Sequence, residues 1–223
     1  MAFSDFKSIS QVQQAYQVRY LEEHFILASG LEPSLGFRSE LEFSLENLDV
    51  FTSEAARSET IIFPVLREVY KSFVDKFSLW IQKAIFFDTA LSGTPDYLIG
   101  TKSELGKTVL ETPLILVAEA KKNDFEQRPC PSGACLGSRE GWAQCLAELI
   151  AAQKINDDTT KIVYGIVTDG KVWEFAKLEE RVFTKHVQSF TVDDLPELFG
   201  ALHFILSASA RASALAFLVH QAV

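Results

Sequence analysis

The sequence predicts an α/β fold in which helices cover both faces of a mixed β-sheet. Three strand-like segments, 77–87, 96–99 and 114–120, follow one another between helix-like segments at 54–75 and 140–156. More strand-like segments come after the second helix, and a strand that returns parallel to its neighbour needs such a connecting helix. The 223 residues are 48% hydrophobic and include 18 Phe, so the chain has ample material for such a core.

The chain is predicted to form a single domain over residues 1–223. We place its core, with the order helix, three strands, helix, strand, at about 54–178. A helical N-terminal extension is expected at about 8–50, and extra C-terminal helices are expected at about 192–222.

Local signals place the first elements. Residues 8–27 carry apolar side chains mostly at helical spacing, whereas 40–45 alternates polar and apolar residues like a short strand. Ser53 is a suitable N-cap for the helix at 54–75. Pro64 lies inside that helix, so it either kinks the helix or separates its first turns.

The second half of the chain continues with strands. Residues 161–168 and 172–178 are joined by Asp169-Gly170, a tight hairpin signal, and 181–190 can add a third strand. Two helices are predicted to follow. The last is unusually apolar and is expected to pack on the core or against a second subunit, so a homodimer through this helix is possible.

Composition and charge limit the expected cellular location of the protein and the kinds of partner it can bind. The chain has no apolar run long enough to span a bilayer and does not begin like a signal peptide, so we expect a cytoplasmic protein without membrane contact. The net charge of -9 argues against non-specific binding to nucleic acid. Local potential decides how an anionic ligand is received, however, and Lys121, Lys122, Arg128 and Arg139 flank the candidate site.

The candidate site is at the end of the strand-like segment 113–121. Glu119 and Lys121 are two residues apart, so on a strand they project from the same face, roughly 6.5–7 Å apart. Asp96 begins another short apolar strand. Two carboxylates and an ammonium at one sheet end can hold a hard divalent cation beside a water molecule. The competing interpretation is an ordinary salt bridge of Lys121 with Glu119 or Asp96.

These motifs resemble the PD-(D/E)xK nuclease superfamily, which has the restriction-endonuclease-like fold. The family signature is an Asp preceded by Pro, here Pro95-Asp96, and a hydrophobic strand that ends in Glu-x-Lys, here Glu119-Ala120-Lys121. The stretch Tyr164–Phe175 also resembles a strand pair in nuclease domains related to type I restriction subunits. The resemblance covers roughly residues 54–178.

The resemblance implies metal-dependent hydrolysis of DNA phosphodiesters, with Mg²⁺ or Mn²⁺ as cofactor and DNA as partner. It implies that Asp96, Glu119, the Ala120 carbonyl and Glu59 bind metal, and that Lys121 orients the attacking water or stabilises charge. A Gln is frequent on the helix after Glu-x-Lys, and Gln144 is its match. In some members a Tyr follows this Gln by four residues, where this chain has Glu148.

The resemblance also bears on which residues bind DNA, and it leaves a second function open. Lys122, Arg128 and Arg139 are the candidate DNA-binding residues beside the site. An alternative function is a catalytically inactive nuclease-fold module for binding or assembly. Such a module would act with a partner in a restriction or mobile-element system.

Overall fold

The protein, described from a computed structural model, is built around an eight-stranded mixed β-sheet within the residues that the structure describes. These residues are 3–27, 29–121 and 137–221. For residues 137–140 and 215–221 the structure describes the backbone and not the side chains. The strands are β1 (Arg19–Glu23), β2 (Phe77–Ile81), β3 (Ile85–Phe86), β4 (Ser92–Gly93), β5 (Tyr97–Thr101), β6 (Glu111–Ala120), β7 (Val163–Thr168), β8 (Val172–Glu179), β9 (Val182–His186) and β10 (Phe190–Thr191).

The sheet has the strand order β1-β9-β8-β7-β6-β5-β2, and β10 pairs with β8. The pairs β6–β7 and β1–β9 are parallel, and the other neighbours are antiparallel. Strands β3 and β4 form a small separate sheet. The prediction of a mixed sheet in an α/β fold is therefore confirmed.

Helices pack on both faces of this sheet. They are α1 (Ile9–Tyr16), α2 (Leu35–Asn47), α3 (Glu54–Arg57), α4 (Phe63–Tyr70), α5 (Gly137–Ile155) and α6 (Leu195–Gln221). On one face, Val65 of α4 and Leu202 of α6 share a buried cluster with Ile166 of β7. On the other face, Leu149 of α5 packs with Val117 of β6. Alternate residues of the central strands thus supply two separate cores.

Contrary to the prediction, the N-terminal extension is only partly helical. The helix expected over 8–27 ends at Tyr16, because Gln17 adopts a left-handed conformation with φ 56° and ψ 44°. The chain then forms β1, which pairs in parallel with β9. Hydrogen bonding to an open sheet edge outweighs the helical spacing of the apolar residues there.

The strand predicted at 40–45 is wrong, because these residues belong to α2. This helix begins after Ser34, whose side chain accepts a hydrogen bond from the backbone N–H of Phe37. Phe37 and Leu41 are four residues apart and are both buried on one face of the helix. The Ser34 cap and the burial of these two side chains stabilise a helix here, although the alternating pattern of the segment is typical of a strand.

The helix predicted at 54–75 is present as one helical run with changing geometry. Ser53 caps it, as predicted, by accepting a hydrogen bond from Ala56 N at 3.0 Å. A π-helical segment, Ser58–Ile62, joins α3 to α4, and Pro64 falls in the first turn of α4. Pro64 has no N–H to donate within this run, and it falls where the π-helical hydrogen-bonding pattern changes to that of α4, so the run continues through Pro64 with an altered geometry.

The two C-terminal helices predicted within 192–222 are instead one helix, α6. Leu198, Leu202 and Ile205 are buried along it, so its first part packs on the core. The apolar side chains from 215 onward lie outside the described residues, and the homodimer stays a prediction. A helix able to cross a bilayer is not found in residues 3–27, 29–121 and 137–221.

Helix α5 approaches β7 closely at Gly165. A Cβ atom built at Gly165 would lie 2.9 Å from Cys145 Sγ and 3.0 Å from Leu149 Cδ1, both on α5. Real Cβ atoms rarely make such short contacts, so a larger residue would push the helix away from the strand. The absence of a side chain at Gly165 therefore sets the distance between α5 and the sheet.

We expect Gly165→Ala to lower the free energy of unfolding by about 1–3 kcal/mol, because the added methyl group overpacks the interface between α5 and β7. Urea unfolding measures this change. Gly36→Ala in α2 is the matched control, because a Cβ there meets no atom within 4 Å. Alanine favours a helix over glycine, so the control should keep or gain stability. Equal losses in both variants would contradict the packing explanation.

Candidate functional site

The site forms where the start of β5 lies beside the end of β6. These strands are antiparallel, and Tyr97 pairs with Ala118. Asp96, one residue before β5, therefore falls next to the last residues of β6. Its carboxylate oxygen Oδ2 accepts a hydrogen bond from the backbone N–H of Ala120 at 2.8 Å. This bond brings Asp96 to the Glu119-Ala120-Lys121 sequence.

Lys121 joins the end of β6 to helix α5. Its Nζ donates to Glu119 Oε2 at 2.9 Å and to Gln144 Oε1 at 3.0 Å. Gln144 closes the triangle, because its Nε2 donates to the same Glu119 Oε2 at 2.8 Å. The structure thus brings together Asp96, Glu119, Lys121 and Gln144, four of the residues singled out from the sequence.

A further acidic residue, Glu148, takes part in this cluster. Its Oε1 accepts a hydrogen bond from Gln144 Nε2 at 3.0 Å, and its side chain is completely buried. The sequence interpretation noted Glu148 only as the residue in the position of a Tyr. The signal that could have identified it is the helical spacing of four residues, which places Glu148 on the same face of α5 as Gln144.

Burial shapes the acid–base properties of the carboxyl groups. Loss of solvent raises the pKa of Asp96 above its usual value, although the Ala120 N–H and Lys121 act in the opposite direction. Loss of solvent also raises the pKa of Glu119, where Lys121 again opposes the effect. The pKa of Glu148 is raised well above its usual value by burial and by the neighbouring Glu119. Each of these two buried carboxyl groups is also influenced by the other, and the charge of Glu119 disfavours a second negative charge on Glu148.

Lys121 keeps its charge in these surroundings. Burial alone lowers the pKa of an ammonium group, but the charge and hydrogen bond of Glu119 outweigh it, helped by Asp96 and Glu148. The pKa of Lys121 therefore lies above its usual value. The side chain is 20% exposed, whereas Glu119 is 1% exposed. The ammonium is thus a fixed positive charge at the solvent side of a buried carboxylate.

Some carboxylate oxygens of the site have no protein partner and could bind a cation, and among them is Glu148 Oε2 in the described part of the chain. Glu119 Oε1 is buried and has no hydrogen-bond partner in the described part of the chain. Asp96 uses Oδ2 for Ala120, which leaves Oδ1. Oxygen donors of this kind suit Mg²⁺ or Mn²⁺, and Mg²⁺ needs only one or two carboxylates when water and phosphate complete its shell. The described residues contain no group of three or more His, Cys, Asp or Glu arranged to hold a metal, so water and substrate would have to supply the other positions.

Glu59, the other acid predicted to bind metal, does not contact the cluster in the described structure. Glu59 is exposed on the π-helical segment and lines a groove of about 410 Å³ between α2 and α4. Within the described residues, it makes no hydrogen bond or ion pair with Asp96 or Glu119. Its neighbour Ser58 comes closer, because the Ser58 carbonyl accepts a hydrogen bond from Tyr97 at 3.2 Å.

The three candidate DNA-binding residues lie at the border of the described structure. Lys122 and Arg128 are outside the described residues. Arg139 is in the first turn of α5, and its side chain is not described. Ala120, by contrast, is placed clearly: it is 1% exposed, and its backbone N–H is the group that holds Asp96.

Gly141 is a further residue that shapes the site. A Cβ atom at Gly141 would lie 2.9 Å from Lys121 Cγ and 3.1 Å from Val167 Cγ1. The hydrocarbon part of Lys121 therefore runs along α5 in the space that a side chain at position 141 would fill. Only glycine allows the ammonium to reach Gln144 along this path.

Comparisons with known proteins give no match that bears on this geometry. The sequence matches no protein-family model and no curated protein sequence. The inference of function therefore depends on the residues of the site and on their arrangement.

We expect Lys121→Met to lower the free energy of unfolding by about 3 kcal/mol at pH 8, because it leaves the buried Glu119 without its cation. The loss should shrink as the pH falls to 5.5. Burial raises the pKa of Glu119 and Asp96, so the folded state takes up protons at a higher pH than the unfolded chain. Protonation then stabilises the folded state as the pH falls through the raised pKa.

Urea unfolding at both pH values measures this effect, and Lys177→Met is the matched control. Lys177 forms an ion pair with Glu179 two residues away on β8, and its side chain is also 20% exposed, but Glu179 is 47% exposed. Loss of that solvated pair should change the free energy by less than about 1 kcal/mol. A loss for Lys121→Met that is the same at pH 5.5 and pH 8 would contradict the burial argument.

Proposed function

We propose that this chain is a divalent-metal-dependent nuclease that hydrolyses DNA phosphodiesters and belongs to the PD-(D/E)xK superfamily. The observation that carries the proposal is the hydrogen bond from Ala120 N to Asp96 Oδ2. It unites the Asp of one strand with the Glu-x-Lys of its neighbour at one end of a mixed sheet. The order of the helical run at 54–73, then β2, β5 and β6, then α5 and β7 supports the same assignment.

Each residue of the site can have a separate role in hydrolysis. Asp96 and Glu119, with the Ala120 carbonyl, would hold Mg²⁺ or Mn²⁺. The ion, when bound, supplies a Lewis acid that lowers the pKa of water and offsets charge on the attacked phosphate. Lys121 can donate hydrogen bonds to the attacking water or to a phosphate oxygen, because its ammonium has three protons and two are used. Gln144 keeps that ammonium in place.

The charge of the site makes binding of DNA depend on the cation. Asp96, Glu119 and Glu148 surround a single lysine, Lys121, in the described cluster. Even if one of the two glutamates is protonated, the three carboxyl groups and the one ammonium carry no excess positive charge, and the whole chain has a net charge of -9. A divalent cation reverses the local sign and permits a phosphate to approach. DNA binding at this site should therefore need metal, with further contacts expected from Lys122, Arg128 and Arg139.

A second candidate function is the inactive binding or assembly module. The observation that favours it is that the polar groups of the cluster already bind one another: Lys121 donates hydrogen bonds to both Glu119 and Gln144, and Glu119 is 1% exposed. Such an arrangement can also serve as a structural ion pair. Calorimetric titration with Mn²⁺ separates the two functions, because a chain that binds no metal cannot perform this chemistry.

We expect the protein to cleave DNA in the presence of Mg²⁺ or Mn²⁺, and Asp96→Asn and Glu119→Gln each to lower the rate by about 10²-fold or more, because each removes a carboxylate that would hold the metal ion, and the metal ion stabilises charge in the transition state. Single-stranded, duplex and branched DNA, and RNA, are tested with and without metal. Glu111→Gln is the matched control, because Glu111 lies at the opposite end of β6. Lack of cleavage of every substrate, together with lack of Mn²⁺ binding, would contradict the proposal.

A further inference from the structure

Glu148 is a buried acidic residue to which the proposed reaction assigns no role. It lies on α5 four residues after Gln144, and its side chain has no exposed surface. Burying a carboxyl group costs folding free energy, and an apolar residue of similar size would avoid that cost. The surroundings of Glu148 include the apolar cluster around Leu149, Leu146 and Cys145, so packing alone does not require an acid there.

The contacts of Glu148 point to its effect on Gln144. The amide group of Gln144 has two protons, and Nε2 donates to Glu119 Oε2 at 2.8 Å and to Glu148 Oε1 at 3.0 Å. Its oxygen, Oε1, accepts the hydrogen bond from Lys121 Nζ at 3.0 Å. Both ends of the amide are therefore occupied. A flipped amide would place its oxygen against two carboxyl groups and its NH₂ group against an ammonium.

Glu148 is the contact that ties the amide to α5 itself. Glu119 and Lys121 both belong to the end of β6, whereas Glu148 is on the same helix as Gln144, one turn further on. Gln144 is partly exposed, so without this contact its side chain could rotate toward solvent. Lys121 would then lose one of its two acceptors and would be held by Glu119 alone.

We propose that Glu148 is a positioning residue that acts through Gln144 to hold the Lys121 ammonium at the candidate site. This inference rests on the proposed nuclease function as far as catalysis is concerned. The positioning itself is a property of the folded chain and can be observed without substrate or metal.

The first test observes the Gln144 side chain by ¹⁵N–¹H NMR, with its NH₂ signals assigned from their loss in Gln144→Met. In the wild-type protein we expect these protons to be protected from solvent exchange, because both donate hydrogen bonds. Glu148→Leu should abolish the protection. Glu148→Gln is the matched control and should keep it, because its side-chain oxygen can still accept the bond from Gln144. If the Gln144 NH₂ protons of the wild-type protein exchange freely with solvent, that result alone would overturn the proposal.

The second test is a double-mutant cycle on the rate of DNA cleavage. We expect Glu148→Leu to lower kcat about tenfold with little change in the KM for DNA, and Glu148→Gln to restore most of the activity. In the Gln144→Met background, Glu148→Leu should change kcat less than twofold, because the residue through which it acts is gone. An equal loss of kcat in both backgrounds would overturn the role of Glu148 in positioning Lys121.

The two tests distinguish failure of this inference from failure of the proposed function. A wild-type protein that neither cleaves DNA nor binds Mn²⁺ contradicts the nuclease proposal, and the NMR result alone then decides whether Glu148 positions Gln144. Protection that survives in a folded Glu148→Leu protein overturns the inference even if the wild-type protein is an active nuclease.

Discussion

The antiparallel pairing of β5 with β6 is the constraint on which the candidate site depends. The register places Tyr97 opposite Ala118, and Asp96 consequently reaches the backbone of Ala120. Side chains alternate between the two faces of a strand, so a slip of one residue would turn Glu119 and Lys121 away from α5. The buried apolar residues of β6 prevent such a slip, because Val117 and Ala118 face different cores. Stability of the sheet and geometry of the site thus have the same origin.

Helix α5 turns this pair of strand ends into a polar cluster. Gly141 leaves a path for the stem of Lys121, and Gln144 meets the ammonium at the end of that path. Gly165 on β7 lets the helix lie close enough for these contacts. Gly141 on α5 and Gly165 on β7 therefore allow the close helix–sheet packing that buries the polar groups of the site. The deeper groups, Glu119 and Glu148, have raised pKa values because they are the most buried.

The errors of sequence interpretation fall in the segments that surround the core. At 40–45 an alternating pattern indicated a strand, but the Ser34 cap and the buried pair Phe37 and Leu41 produce a helix. After Gln17 the chain leaves its helix to pair with β9. Such pairing joins residues about 160 positions apart, and no local pattern contains that information. Glu148 was missed for a related reason, since its role depends on contacts with Gln144 and Glu119.

Short-range sequence patterns were enough to predict the elements that depend on neighbouring residues. The apolar run that ends in Glu119-Ala120-Lys121, the Ser53 cap and the hairpin at Asp169-Gly170 are short-range signals, and the structure has β6, the helical run after Ser53 and the β7–β8 pair where they were expected. Which polar groups meet could not be predicted from such patterns, because it depends on long-range packing. The contact of Asp96 with Ala120, the exposed position of Glu59 and the burial of Glu148 depend on strand register and helix packing, because these bring together residues that are distant along the chain.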